Sequence, residues 1–105
     1  MHESTVEALL KLRKAWAPRL TPELIDAAII KESYLIFPET TVTVCCLTLV
    51  NGFNVVGYSS CASIENFNKE IGEKVARTNA RDKIWDLEGY LLKQKLYEDA
   101  QNVTA

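Results

Sequence analysis

Residues 41–60 read TVTVCCLTLVNGFNVVGYSS, and this stretch decides the fold. Two runs of β-branched and aromatic residues, Thr41 to Val50 and Phe53 to Ser60, flank Asn51-Gly52. Such runs suit a pleated surface, and Asn-Gly between them is a strong hairpin signal, because a type I′ turn needs positive φ at both central residues. A two-residue turn would pair Val50 with Phe53, Thr48 with Val55, Cys46 with Gly57 and Val44 with Ser59 on one side. Leu49/Asn54, Leu47/Val56 and Cys45/Tyr58 would share the other. Neither side of that ribbon is cleanly polar, so the pattern predicts that one face or an edge of the sheet meets another subunit.

Upstream, Tyr34 to Phe37 reads as a third strand. Before it, Thr21-Pro22 is a cap followed by proline at the first helical position, and Leu24, Ile25, Ala28 and Ile29 recur at helical spacing. Further back, Ser4 and Glu7 form a capping box ahead of Val6, Leu9, Leu10 and Trp16, a helix that Pro18 must end.

Downstream of Cys61 the period becomes helical. Ser63 is placed to cap, Glu65 lies in the first turn, and Ile64, Phe67, Ile71, Val75 and Thr78 form the apolar stripe of a helix running to about Trp85. Asp86 can cap a continuation through Leu87, Tyr90, Leu91 and Leu96, with Gly89 as a weak point and a loose polar tail from Glu98. The expected fold is α+β: a small antiparallel sheet built on a β-hairpin, packed with a long C-terminal helix and preceded by short N-terminal helices. The chain is read as one domain over 1–105, with a peripheral helix in 1–20, the core in 21–97 and the tail in 98–105.

The bulk numbers agree with a single small core. The chain has 105 residues, 48% hydrophobic and 25% charged, within ordinary globular usage. Twelve basic against fourteen acidic residues give a net charge of -2, which disfavours broad binding to nucleic acid. Apolar runs fall short of a membrane span, so the expectation is a protein of the cytoplasm with no membrane partner. Cys45 and Cys46 are adjacent and must point to opposite faces of a strand, and the only histidine is His2. The cysteines therefore read as small apolar side chains; no metal and no cofactor is expected.

Candidate chemistry gathers on the long helix. Lys74, Arg77, Arg81 and Trp85 fall on one edge at about 100° per residue, where two guanidiniums a turn apart can grip a phosphate and an indole can stack a base. The plainer alternative pairs Glu73 with Arg77 on a solvated edge. Phe53 and Tyr58 can stack on a planar ligand or pack, and Asn79 lies off the edge as a packing or subunit contact. Ser59, Ser60 and Ser63 offer hydroxyls near the helix start. No glycine-rich phosphate loop or nucleophile motif is present, and Glu70, Glu73, Asp82, Asp86 and Glu88 are spaced as on a solvated helix, so no catalytic residues are expected.

The segments VTVC, NGF, NARDKIW and LEGYLLK, within Thr21 to Leu96, resemble a family of small tailed-phage proteins typified by gene products of a coliphage and a Shigella phage. Where that family often has proline this chain carries Ile64 and Asp86, which alters helix starts and not the framework. The chain is similar in the same way to phage Thoeris anti-defence proteins of the first type, sponges that hold cyclic ADP-ribose-type signals, and in some members cyclic oligonucleotides, without degrading them. The resemblance implies a small-nucleotide partner in the host cytoplasm, a homodimer that can assemble further, and ligand at a subunit boundary. Arg77 and Arg81 are then the phosphate candidates, Phe53 and Trp85 the stacking candidates, with Lys74 and Ser59 beside them. Two other readings stand: inhibition of a host protein through the sheet face around Leu47, Leu49, Val56 and Tyr58, and a modest nucleic-acid binder using Lys74, Arg77 and Arg81.

Overall fold

The computed structural model describes residues 19–104, so the helix expected around Val6 to Trp16 lies outside the described residues. The order is α1 (Pro22–Ala27), β1 (Ile29–Ile36), β2 (Thr43–Leu49), β3 (Asn54–Ser59), a 3₁₀ turn (Ile64–Asn66) and α2 (Lys69–Thr104). The described residues divide into two compact units: Ala28–Ile84 is one, and residues 19–27 and 85–104 belong to the other, with α2 contributing to both. The expected α+β class is what the chain adopts, with a three-stranded antiparallel sheet in the order β1-β2-β3.

In the second unit, α1 starts as the Thr21-Pro22 pair dictates: the Thr21 hydroxyl accepts from the Leu24 N–H at 3.2 Å. The helix ends at Ala27, earlier than the periodicity suggested, because Ile29 enters β1. Leu24 and Ile25 are buried on it. Gly89 on α2 faces Leu20, whose Cδ1 would lie 3.9 Å from an added Cβ.

In the unit Ala28–Ile84 the hairpin forms where Asn51-Gly52 predicts, but with a different loop. The Leu49 N–H donates to the Phe53 carbonyl and the Gly52 N–H to the Leu49 carbonyl, both at 2.8 Å, so Val50-Asn51-Gly52 make a three-residue turn. Gly52 takes the left-handed position at φ 88°, whereas Asn51 stays at negative φ, which a type I′ turn forbids. The Asn51 side chain instead accepts from the Phe53 N–H at 3.0 Å.

One extra loop residue slips the register by one. Thr43 pairs with Ser59, Cys45 with Gly57 and Leu47 with Val55, while Val44 opposes Tyr58, Cys46 opposes Val56 and Thr48 opposes Asn54. Because side chains alternate, the slip exchanges partners between faces. Thr43, Cys45, Leu47, Leu49, Val55 and Gly57 are the buried side. Val56 and Tyr58 are on the opposite, exposed side. The face expected to join Leu47 and Leu49 to Val56 and Tyr58 is therefore split. Cys45 is buried and Cys46 half-buried, on opposite sides as adjacency requires.

β1 is longer than Tyr34 to Phe37. It begins at Ile29, carries a bulge between Ile29 and Lys31, and pairs Glu32 with Leu47 and Tyr34 with Cys45. The turn into β2 holds Glu39 at φ 61° and is closed by the Phe37 N–H on the Val42 carbonyl at 3.2 Å.

Ser63 caps only the 3₁₀ turn, accepting from the Glu65 N–H at 3.3 Å. Phe67 is extended, and Asn68 caps α2 by accepting from the Ile71 N–H at 3.1 Å. α2 then runs without a break at Trp85 for 36 residues, and 98–104 is part of it. The expected apolar stripe is corrected too: Ile64, Ile71 and Val75 are exposed, and Ala76, Ala80 and Ile84 are fully buried. Gly57 explains the switch. A Cβ there would stand 2.5 Å from the Ala76 carbonyl oxygen and 2.7 Å from the Asn79 carbonyl carbon, so helix backbone rests on strand backbone. Only small residues fit at such a crossing, and the Gly72-Ala76-Ala80 row, one step every turn, supplies them.

Gly57→Ala is expected to cost about 2 kcal/mol or more, read as a drop in urea midpoint, since backbone atoms rather than a side chain must move. Thr43→Val should be neutral or stabilising by about 1 kcal/mol in the same assay, because the fully buried Thr43 hydroxyl has no hydrogen-bond partner.

Candidate functional site

With Ala76 and Ala80 turned to the sheet, helical geometry divides the flanks of α2. Val75, Asn79 and Lys83 run beside the edge of β3, and Arg77 is carried to the opposite side, where its guanidinium meets β1. Arg77 Nε donates to Glu32 Oε2 at 3.1 Å, and the Tyr34 hydroxyl donates to Glu32 Oε1 at 2.6 Å. Glu32 and Tyr34 are two apart on β1 and so share a face, the face that also carries Cys45 and Leu47 across the ladder. The result is a line of contacts from sheet to helix: Tyr34, Glu32, Arg77. Arg81 follows one turn beyond Arg77 and is half-buried like it.

The electrostatics follow from these contacts. Glu32 is held below the usual carboxylate range, first by the Tyr34 hydroxyl and then, against some burial, by the hydrogen bond and charge of Arg77. Burial, followed by the neighbouring Glu32 carboxylate, pushes the Tyr34 phenol well above its ordinary value. Burial raises the Cys45 thiol, partly offset by Tyr34. Glu32 is therefore an anion and Tyr34 a neutral donor throughout the physiological range.

The predicted site residues divide into three groups. Arg77 and Arg81 share a helix edge as expected, and Arg77 pairs with Glu32 on β1. Lys74 is exposed on the same helix, and Trp85 is half-buried and belongs to the other unit. Phe53 stands just before β3 at the hairpin end, away from the strand of Glu32, and is 54% exposed. Ser59 is used structurally: its hydroxyl donates to the Gly72 carbonyl at 2.7 Å. Asn79 donates to the Tyr58 carbonyl at 2.8 Å.

Two hollows flank the helix on the β3 side. One of about 150 Å³ lies at the start of α2 and is lined by Thr41, Ser60, Phe67, Asn68 and Ile71 among others. The other, about 400 Å³ and more open, runs along the β3 edge past Tyr58, Ser60, Val75, Asn79 and Lys83. Neither includes the arginine edge.

Residues 20–96 match the model of the Phage protein (N4 Gp49/phage Sf6 gene 66) family. The chain belongs to that family. The matched span takes in the whole sheet and α2 as far as Leu96, including Glu32, Tyr34, Arg77 and Arg81. Among curated proteins and among solved structures, nothing matches the chain. In this phage protein no described helix is long and apolar enough to cross a membrane.

Glu32 and Tyr34 are not among the expected site residues, because their shared face follows only once residues 29–36 pair with β2 as a strand. A pH test follows. A carboxyl whose folded pKa lies below its ordinary 4.5 adds stability that is present above 4.5 and lost as pH falls through the folded value. Tyr34→Phe removes the largest cause of the lowering. Thermal melts of the variant should lose less stability between neutral pH and pH values below 4.5 than the wild type does.

Proposed function

We propose that this phage protein binds and sequesters a cyclic nucleotide signal of host immunity, of the cyclic ADP-ribose type or a cyclic oligonucleotide, without turning it over. The observation that carries the reading is the arginine edge of α2, where Arg77 and Arg81 lie a turn apart and Arg77 is oriented by a carboxylate at 3.1 Å. A guanidinium fixed before the ligand arrives loses less freedom on binding, and two at this spacing suit the paired charges of a pyrophosphate or a cyclic diester. Membership of a phage family fits a protein directed at host defences. The resemblance to Thoeris anti-defence sponges supplies the ligand class.

The protein is further proposed to act as a homodimer. Leu35, Val56 and Tyr58 all project from the sheet face opposite α2 and are 55%, 43% and 62% exposed, the kind of surface that a homodimer covers. The same exposed residues favour one other reading, in which this face binds and inhibits a host protein.

Titration calorimetry against cyclic ADP-ribose isomers and cyclic di- and trinucleotides, with heat release to recover the ligand, tests the proposal. Tight binding with intact ligand is expected. Arg77→Ala and Arg81→Ala should each weaken it by about 10- to 100-fold, as loss of a charge-assisted hydrogen bond does. Loss of the Arg77–Glu32 ion pair itself costs at most about 1 kcal/mol of stability, since both side chains are well exposed. A changed ligand on release would make the protein an enzyme. Silence across the panel would transfer the weight to the host-protein reading.

A further inference from the structure

We infer that Glu32 is a specificity-determining residue of the Arg77 site, selecting phosphodiesters and pyrophosphates over phosphomonoesters; this rests on the sequestration reading above. The geometry supplies both halves of the argument. Glu32 is close enough to Arg77, 3.1 Å, to fix its guanidinium, and any phosphate that Arg77 takes must also lie near that carboxylate. The Tyr34 hydroxyl, donating at 2.6 Å to the other carboxylate oxygen, keeps Glu32 ionised and aimed at the helix.

A standing negative charge beside an anion site penalises ligands in proportion to the charge they bring. A phosphodiester, and each phosphate of a bridging pyrophosphate, carries one negative charge. A terminal phosphomonoester carries close to two at neutral pH, as a phosphorylated side chain does. At separations of several ångströms and the effective dielectric of a half-exposed site, the additional charge corresponds to about tenfold in affinity. Arg77 supplies attraction to both classes, and Glu32 subtracts more from the second. A cyclic signal has no terminal phosphate, whereas mononucleotides and the linear products of ring opening do. The pair therefore discriminates by charge per phosphate, without a shape-reading pocket.

The test compares cyclic ADP-ribose and cyclic diadenylate with AMP and 5′-phosphorylated linear diadenylate, titrated into the wild type, Glu32→Gln and Tyr34→Phe. The wild type should prefer the cyclic pair. In Glu32→Gln the ratio of cyclic to monoester affinity should fall about tenfold, because the monoesters gain relative to the cyclic ligands. Tyr34→Phe, which leaves the carboxylate in place but loosens it, should lower the ratio less, and Glu32→Asp should restore most of the preference. A ratio unchanged within twofold in Glu32→Gln, with wild-type binding intact, overturns this inference alone. Absence of wild-type binding to all four probes ends it together with the reading it rests on.

Discussion

Contact between the backbone of α2 and the backbone of β3 at Gly57 is the constraint from which the rest of the unit follows. A strand residue without a side chain lets the helix descend until Ala76 and Ala80 touch the sheet. At that distance no larger residue can occupy the facing row, so Gly72, Ala76 and Ala80 are turned inward and Ile71 and Val75 outward. The rotation that puts alanines on the sheet also brings Arg77 within reach of β1. Fold and candidate site are thus set by one crossing: shifting the helix by a residue would move the guanidinium away from Glu32 altogether.

The sequence carried the hairpin, the helix and the fold class, and the places where it misled share a physical cause. Asn-Gly was read for a two-residue turn because both residues tolerate positive φ. Gly52 alone takes that conformation, and Val50, which looked like the end of a strand, joins the loop. One residue was enough to separate Leu47 and Leu49 from Val56 and Tyr58. The helix stripe was misjudged for a related reason: apolar periodicity favours large side chains, and a row of glycine and alanine gives a weak hydrophobic signal although it packs most closely.

The site was half legible. Helical spacing alone put Arg77 and Arg81 on one edge. Their neighbours were not legible, because Ile29-Ile30-Lys31-Glu32-Ser33 has a helical start and a charged middle, and only pairing with β2 makes it a strand. Once it is one, Glu32 and Tyr34 fall on the face that meets the helix, 45 and 43 residues before Arg77 in the chain. A local pattern cannot carry a contact of that range. Ser59 shows the converse: a hydroxyl that looks available for a ligand is committed to the Gly72 carbonyl.

The amide of Asn79, which donates to the Tyr58 carbonyl, has a consequence for how the protein behaves at high concentration. Among the described residues β3 borders the sheet, and a border strand with open backbone groups is a template for stacking chains into fibres. A side chain from the helix that occupies a carbonyl on that border breaks the regular row of acceptors an incoming strand would need. A strand adding at that border would have to displace the Asn79 amide, which comes from the same helix that carries the arginines.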